Sequence, residues 1–235
     1  MYLFAFLVLI GTLAITTDAP AMNVEAPHES ATHVLNVDYH CKFERQQWNT
    51  SDWIMIKRPA FARLGDWIQN DDHIANQTPA QATNDEMQGT KASETYTGMV
   101  LKQIITGSAT ISATMSFDYK MAPSIVIAGP LGESKDGKPE FRRLTEVVLF
   151  DQGVNIWVHE YINGSSKWTK LAWSTFAIEP RKKHELHIAI SGQKLEITVE
   201  GHAIGVTDSG LPNAYSVGIA GNEGINRFYA FSVKS

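Results

Sequence analysis

This 235-residue chain contains little cysteine and carries little net charge. Its single cysteine, Cys41, excludes an internal disulfide, so the fold must rest on a hydrophobic core. The 20 Lys and Arg residues against 25 Asp and Glu residues give a formal net charge of −5, which excludes nucleic-acid binding through bulk positive charge. With 43% hydrophobic residues, the composition is that of a folded domain rather than of a disordered chain.

Long apolar runs are also scarce, and the longest one opens the chain. Residues 3–15 are 13 mainly apolar residues, fewer than the ~20 that a membrane-spanning helix needs. The small residues Ala19 and Ala21 then occupy positions −3 and −1 of a signal-peptidase site. We therefore predict a signal peptide over residues 1–21, a flexible leader over 22–33, and a secreted or periplasmic protein with no stable membrane span. A buried N-terminal strand is the alternative.

The short motifs of common cofactor and metal sites are absent. The chain has no Gly-x-x-x-x-Gly-Lys, no Gly-x-Ser-x-Gly and no EF-hand loop. His184 and His187 are three residues apart, which on a strand puts them on opposite faces and argues against a shared zinc ion. No cofactor is therefore predicted. A structural calcium ion stays open, with loop carboxylates as candidate ligands, namely Asp71, Asp72, Asp151 and Asp208.

What the chain does contain is hydrophobic alternation with period two. Residues 110–120 alternate apolar and polar side chains throughout, as a half-buried strand does. Shorter strands are predicted at residues 124–128, 144–150, 155–161, 186–190, 195–199, 217–220 and 228–233. Many short strands separated by turn signals predict an all-β fold, an antiparallel two-sheet β-sandwich. We assign it to residues 34–235 as a single domain.

The order of strands and turns near the C-terminus is distinctive. Residues 183–235 give a basic approach and a strand, a Ser-Gly turn, a strand ending in VEGHAIG, a polar loop, VGIAG, and an aromatic last strand. This order resembles the C-terminal half of concanavalin A-like jelly rolls, which include lectins, laminin-G-like modules and several glucanases. Residues 67–74 (WIQNDDHI) are similar to the opening of such domains. The resemblance implies a jelly roll that binds or cleaves sugars on its concave sheet.

The catalytic motifs of two groups in this superfamily are missing. Family 16 glucanases carry Glu-Ile-Asp-x-x-Glu, and no such string occurs here. The alginate lyases carry Arg-x-Glu-Leu-Arg and Gln-Ile-His strands, and the chain has neither. A retaining glycosidase needs two carboxylates about 5–5.5 Å apart, whereas Glu146 and Asp151 fall on opposite faces of a strand. These two activities are therefore not expected.

The strand at residues 155–161 carries the best candidate for a sugar site. Ile156, Val158 and Ile162 share one face, which fits the core. Aromatic rings that stack on sugar C–H groups, together with polar groups that bind hydroxyls, suit carbohydrate. An imidazole also suits acid–base chemistry near neutral pH. The predicted ligand-binding face consists of Asn155, Trp157, His159 and Tyr161. The alternative is that Trp157 belongs to the core.

Arg143 and Glu146, on the preceding predicted strand, are secondary candidates. The guanidinium of Arg143 could bind the carboxylate of an acidic sugar in a bidentate manner. A surface ion pair of little energetic value is the alternative for both residues. Trp168 and Trp173 either line a loop wall or cover the edge of the sandwich.

The leading functional hypothesis is a secreted, lectin-like domain that binds a polysaccharide or glycan. The second is a glycoside hydrolase or polysaccharide lyase of the same fold, and the third is a laminin-G-like module that binds a protein. The candidate catalytic residues of the second hypothesis are His159, Tyr161, Glu146 and Arg143. The Asn-x-Ser/Thr sequons at Asn49, Asn76 and Asn163 are relevant only in a eukaryotic host.

Overall fold

A computed structural model describes residues 36–59, 61 and 63–235. The predicted signal peptide and leader, residues 1–21 and 22–33, lie outside the described residues. Across the described ranges, no helix is long and apolar enough to cross a membrane.

Two antiparallel sheets form the structure, which confirms the predicted all-β sandwich. The first sheet has the order β16 (His202–Thr207), β15 (Lys194–Val199), β14 (His184–Ser191), β7 (Ala109–Phe117), β18 (Asn226–Lys234), β4 (Ile74–Asn76) and β3 (Trp67–Gln69), and β1 (Asp38–Lys42) also pairs with β18. The second sheet has the order β13 (Ser165–Thr175), β12 (Gly153–Ile162), β11 (Arg143–Phe150), β8 (Met121–Ala128), β17 (Ala214–Gly221), β5 (Thr97–Leu101) and β2 (Trp53–Ile56), and β6 (Ile105–Thr106) pairs with β17.

Short elements complete the fold. A small hairpin consists of β9 (Leu131–Glu133) and β10 (Pro139–Phe141). Two short helices, α1 (Asn84–Gln88) and α2 (Ala92–Thr95), precede β5, and one 3-10 turn (Thr50–Asp52) precedes β2. Thr83 caps α1 in a capping box, in which the backbone N–H groups of Thr83 and Glu86 each donate to the side chain of the other residue.

The hydrophobic core lies where alternating side chains of the two sheets meet. In β14 the residues Leu186, Ile188 and Ile190 are buried, and their neighbours in sequence are exposed. The predicted strand at residues 110–120 is too long, because β7 ends at Phe117 and the chain bends immediately afterwards. Tyr119 therefore leaves the core face and its hydroxyl donates to Asp85 instead.

The face of the second sheet that points away from the core is also partly covered. We call it the outer face. A second apolar cluster there includes Ile56, Tyr96, Val126 and Leu144. The segment after β2 passes over it, and its Lys57 pairs with the β9–β10 hairpin through a backbone hydrogen bond to Pro139 at 2.8 Å. This cover leaves the β12 end of the outer face open.

A glycine and a bulge set the register at that open end. Gly153 begins β12 with a φ of 130°, and a Cβ atom there would lie 2.0 Å from the carbonyl oxygen of Ser174. The pairing of β12 with β13 then shifts by one residue between Ile156 and Trp157. As a result, Lys170 lies directly opposite Trp157.

Candidate functional site

Strand β12 presents most of its predicted site residues to a pocket on the outer face. The pocket has a volume of about 290 Å³, and we call it the β12 pocket. Its walls include the side chains of Arg58, Glu146, Asn155, Trp157, His159, Trp168, Lys170, Asn222 and Glu223. Polar groups and rings therefore converge in one cleft, as they do in small-molecule sites.

A buried chain of polar side chains forms the back of the pocket. Nη2 of Arg58 lies 3.3 Å from Nδ1 of His159, and Nε2 of His159 lies 2.8 Å from Oε2 of Glu146. Because a guanidinium only donates, Nδ1 must accept, and the imidazole proton is therefore assigned to Nε2, which faces Glu146. The His159–Glu146 contact has the distance of an ion pair but lies off the direction of an ideal hydrogen bond.

Glu146 is ionised despite its burial. Burial alone raises the pKa of this carboxyl, but the neighbouring His159 and the charge of Arg58 outweigh it and hold the pKa below its ordinary value. Ser124 also donates weakly to Oε1, at 3.5 Å. The expected surface ion pair of Glu146 with Arg143 is thus wrong, because Glu146 is buried on the outer face with a different partner.

A second carboxyl enters the pocket from the turn after β17. Glu223 has a φ of 51°, and its backbone N–H donates to Oγ1 of Thr95 at 2.9 Å. Burial raises the pKa of Glu223; Arg58 opposes this effect, and the negative charge of Glu146 adds to it. The pocket therefore holds two carboxyls whose pKa values move in opposite directions.

Aromatic rings surround the guanidinium of Arg58. Its central carbon lies 4.3 Å from the ring centroid of Trp168, 4.9 Å from that of Phe61 and 5.3 Å from that of Tyr96. Cation–π contacts of this kind are worth up to ~2 kcal/mol when they are desolvated. They hold the guanidinium in place beside His159.

Three indoles line or border the open side of the pocket. Trp157 is half-buried on the outer face and is therefore not part of the core between the sheets. Trp168 and Trp173 are 54% and 65% exposed, which is unusual for such large apolar rings. Both lie on strand β13, not in a loop, and the Nζ atom of Lys170 is 4.7 Å from the Trp157 ring centroid and 5.8 Å from that of Trp173.

Two predicted site residues lie elsewhere. Tyr161 is on the same strand but lines a neighbouring depression beside the β9–β10 hairpin, where Arg142 lies 5.7 Å from its ring centroid. Arg143 is on the opposite face of β11 from Glu146, because their positions differ by three, an odd number, along the strand. It binds the buried carboxylate of Asp208, and its Nη1 donates to Thr145 at 3.1 Å. The structure therefore does not bring Arg143 into the β12 pocket.

The predicted core face of this strand is also shorter than expected. Ile156 and Val158 are buried as expected, but Ile162 is 53% exposed because β12 extends beyond the core at that end.

Arg58, Lys170 and Glu223 were missed by the sequence reasoning. Arg58 and Glu223 lie outside the regular strands, so strand alternation carries no signal for them. Arg58 is 101 residues away from His159 in the chain, and only the folded sheet brings them together. Lys170 could have been found from its position between Trp168 and Trp173 on a predicted edge.

Metal ligands do not converge in the described part of the chain. No group of three or more His, Cys, Asp or Glu side chains there could hold a metal ion. Asp71 contacts Arg45 at 2.8 Å, Asp72 contacts His73 at 2.6 Å, and Asp208 is bound to Arg143.

Comparisons with known proteins identify the class of fold. No protein-family model and no curated protein sequence matches the chain. Three solved structures are similar in fold. The carbohydrate binding module CBM66 from Bacillus subtilis has 12% identity and a TM-score of 0.53, covering 78% of this chain and 96% of its own. The exoplasmic/lumenal domain of VIP36 in its Ca²⁺/Man3GlcNAc-bound form has 12% identity and a TM-score of 0.55, covering 83% and 87%.

The third structure is the Bacillus licheniformis beta-glucanase, with 8% identity, a TM-score of 0.54, and coverage of 84% of this chain and 98% of its own. All three have concanavalin A-like jelly-roll folds. This chain therefore has the concanavalin A-like jelly-roll fold, as its strand order suggested. At such low identity the likeness shows the fold alone.

Proposed function

We propose that this protein is a carbohydrate-binding domain whose β12 pocket holds part of a polysaccharide or glycan. The observation that carries the proposal is the cluster of Trp157, Trp168 and Trp173 beside polar groups on one open face. Indole faces stack on the C–H patches of sugar rings, and Asn155 supplies an amide for hydroxyls. A pocket near the small end of the usual ~300–1,000 Å³ range suits one portion of a chain rather than a long segment.

The names of the three structures with a similar fold support this proposal, because each refers to carbohydrate. One is a carbohydrate binding module, one was solved with Man3GlcNAc, and one is a beta-glucanase. The same face of a shared fold can host unrelated functions, so the weight of the proposal rests on the indoles of this chain.

Replacing one indole tests the site directly. We expect Trp157→Ala to lower glycan affinity about 2- to 13-fold, because a stacking contact is worth ~0.5–1.5 kcal/mol. Titration calorimetry against a panel of plant and algal polysaccharides measures this change. Ile68→Ala is the matched control, since Ile68 is an exposed apolar residue on the first sheet. A folded Trp157→Ala variant with unchanged affinity would exclude this site.

A second candidate function is glycoside hydrolysis. It is favoured by one observation, the presence of Glu146 and Glu223 in the same pocket with pKa values shifted in opposite directions. Such pairs provide an ionised carboxylate and a protonated acid at the same pH. Release of reducing ends from the panel, lost in Glu223→Gln, would support hydrolysis. Saturable binding without turnover would reject it.

Export from the cytoplasm is part of the proposal and depends on residues 1–21. N-terminal sequencing of the mature protein is expected to begin at Met22. A mature protein that retains Met1 would contradict export through this signal.

A further inference from the structure

Arg58 is a buried cation with few partners. It is 5% exposed, and across the described residues no carboxylate oxygen lies within the 4.0 Å of an ion pair. The one side-chain hydrogen bond that it forms there is with His159. A buried charge is normally paired and fully hydrogen-bonded, because burial without partners is costly. Most of the five N–H donors of this guanidinium are therefore available to something that enters the pocket.

The aromatic neighbours of Arg58 leave the N–H donors of its guanidinium free for a ligand. Trp168, Phe61 and Tyr96 contact the guanidinium as aromatic rings, and a ring face offers no strong acceptor. A planar guanidinium presents paired N–H groups that match the two oxygens of a carboxylate or sulfate. The geometry is therefore that of an anion receptor whose anionic partner is not supplied by the described residues.

Lys170 provides a second cation at the mouth of the pocket. It is exposed, lies against Trp157, and within the described ranges has no carboxylate at ion-pair distance. The remaining charged groups of the pocket are Glu146 and Glu223. Glu146 offsets Arg58, while burial makes Glu223 easier to protonate, so an entering anion meets a pocket that is neutral or positive.

We propose that the ligand of the β12 pocket is an acidic sugar, whose carboxylate or sulfate binds Arg58 and is attracted by Lys170 while its ring stacks on the indoles. This inference rests on the proposed carbohydrate binding and refines it. It also assigns to Arg58 the role that the sequence suggested for Arg143.

A ligand panel tests carbohydrate binding and the preference for acidic sugars separately. The probes are polygalacturonate and alginate oligosaccharides as carboxylates, carrageenan oligosaccharides as sulfates, and their carboxyl-reduced or desulfated forms as neutral partners. We expect at least one acidic probe to bind, and its neutral partner to bind at least 10-fold more weakly. Preference for carboxylate or for sulfate identifies the anion. Equal binding of acidic and neutral partners, or binding of neutral ones alone, overturns the inference and leaves carbohydrate binding intact. No binding by any glycan overturns both.

Charge variants test the assigned residues in the protein that binds the panel. Lys170→Gln is expected to weaken the acidic probe about 3- to 10-fold without affecting neutral partners. Arg58→Gln is expected to weaken it more than 30-fold, with no rescue by Arg58→Lys, because an ammonium lacks the paired donors. Lys167→Gln is the matched control, since Lys167 is on the same strand but pairs with Glu160 and points away from the pocket.

Folding of each variant is checked by thermal unfolding. If Arg58→Gln unfolds, Lys170→Gln still decides, because Lys170 is exposed and its loss leaves the core untouched. The assignment would be overturned if the affinity for the acidic probe is unchanged in folded Lys170→Gln, or if it falls equally in Lys170→Gln and Lys167→Gln.

Discussion

Glu146 is a charged side chain that is buried on the outer face of the second sheet. Its side chain is 8% exposed, and an isolated carboxylate there would be protonated. His159 and Arg58 stabilise the ionised form, and the pKa falls instead of rising. Removing one partner from a buried charged pair leaves the other uncompensated and is strongly destabilising. At this scale, the same residues that support the pocket also contribute to folding stability.

Glu146→Gln tests this dual role. Because the folded pKa is below its ordinary value of 4.5, the ionised carboxylate adds stability above about pH 4.5 and loses it as the pH falls towards the folded pKa. We expect the variant to be about 1–3 kcal/mol less stable at pH 7. The difference from the wild type should shrink below pH 4.5. Urea unfolding across pH 3–7 measures it.

Glu160→Gln is the control for that series. Glu160 lies on the neighbouring strand β12 and pairs with exposed Lys167 at 3.9 Å. Its substitution should change stability by no more than ~0.5 kcal/mol at any of these pH values. A pH-independent loss of stability in Glu146→Gln would show that the carboxylate contributes through packing alone.

At the scale of elements, the pairing of β12 with β13 determines which side chains face the pocket. The bulge beside Trp157 puts Lys170 opposite it, and the register then places Trp168 opposite His159. Without the bulge, the residues of β13 beyond it would point to the other face, because side chains alternate along a strand. Gly153 begins β12 at a point where a Cβ atom would clash with the carbonyl oxygen of Ser174.

Gly153→Ala is therefore expected to lower the free energy of unfolding much more than Gly164→Ala, a substitution in the turn that follows β12. The new Cβ would meet the Ser174 carbonyl at 2.0 Å in a backbone region that only glycine adopts readily. We expect a loss of about 3 kcal/mol or more in chemical denaturation. Gly164 has a φ of 79° with open space around it, so Gly164→Ala should cost only ~1–2 kcal/mol. Equal costs would contradict this role for Gly153.

The sequence could predict those parts of the site that depend on alternation along one strand. Alternation placed Asn155, Trp157 and His159 on one face of a strand, because side-chain direction depends only on neighbouring residues. The same rule, applied to Arg143 and Glu146, already separates them onto opposite faces. The contribution of Arg58 depends on a contact with His159, 101 residues further along the chain, which no local pattern encodes.

At the scale of the whole molecule, stability and recognition use different faces of one sheet. The inner face of the second sheet packs against the first sheet, with Val147, Leu149 and Ile156 completely buried. The outer face is covered only in part, so its open end can hold polar and charged groups without disrupting the core. This division is what allows a jelly roll to vary its binding site while keeping its fold.

The six tryptophans of the chain make this division measurable in one experiment. Indole N–H signals in an NMR titration with a bound glycan report each ring separately. We expect Trp157, Trp168 and Trp173 to shift, and the rings in or against the core, Trp48, Trp53 and Trp67, to stay unchanged. Shifts confined to the core group, or absent from the three rings at the β12 pocket while the glycan binds, would contradict the proposed site.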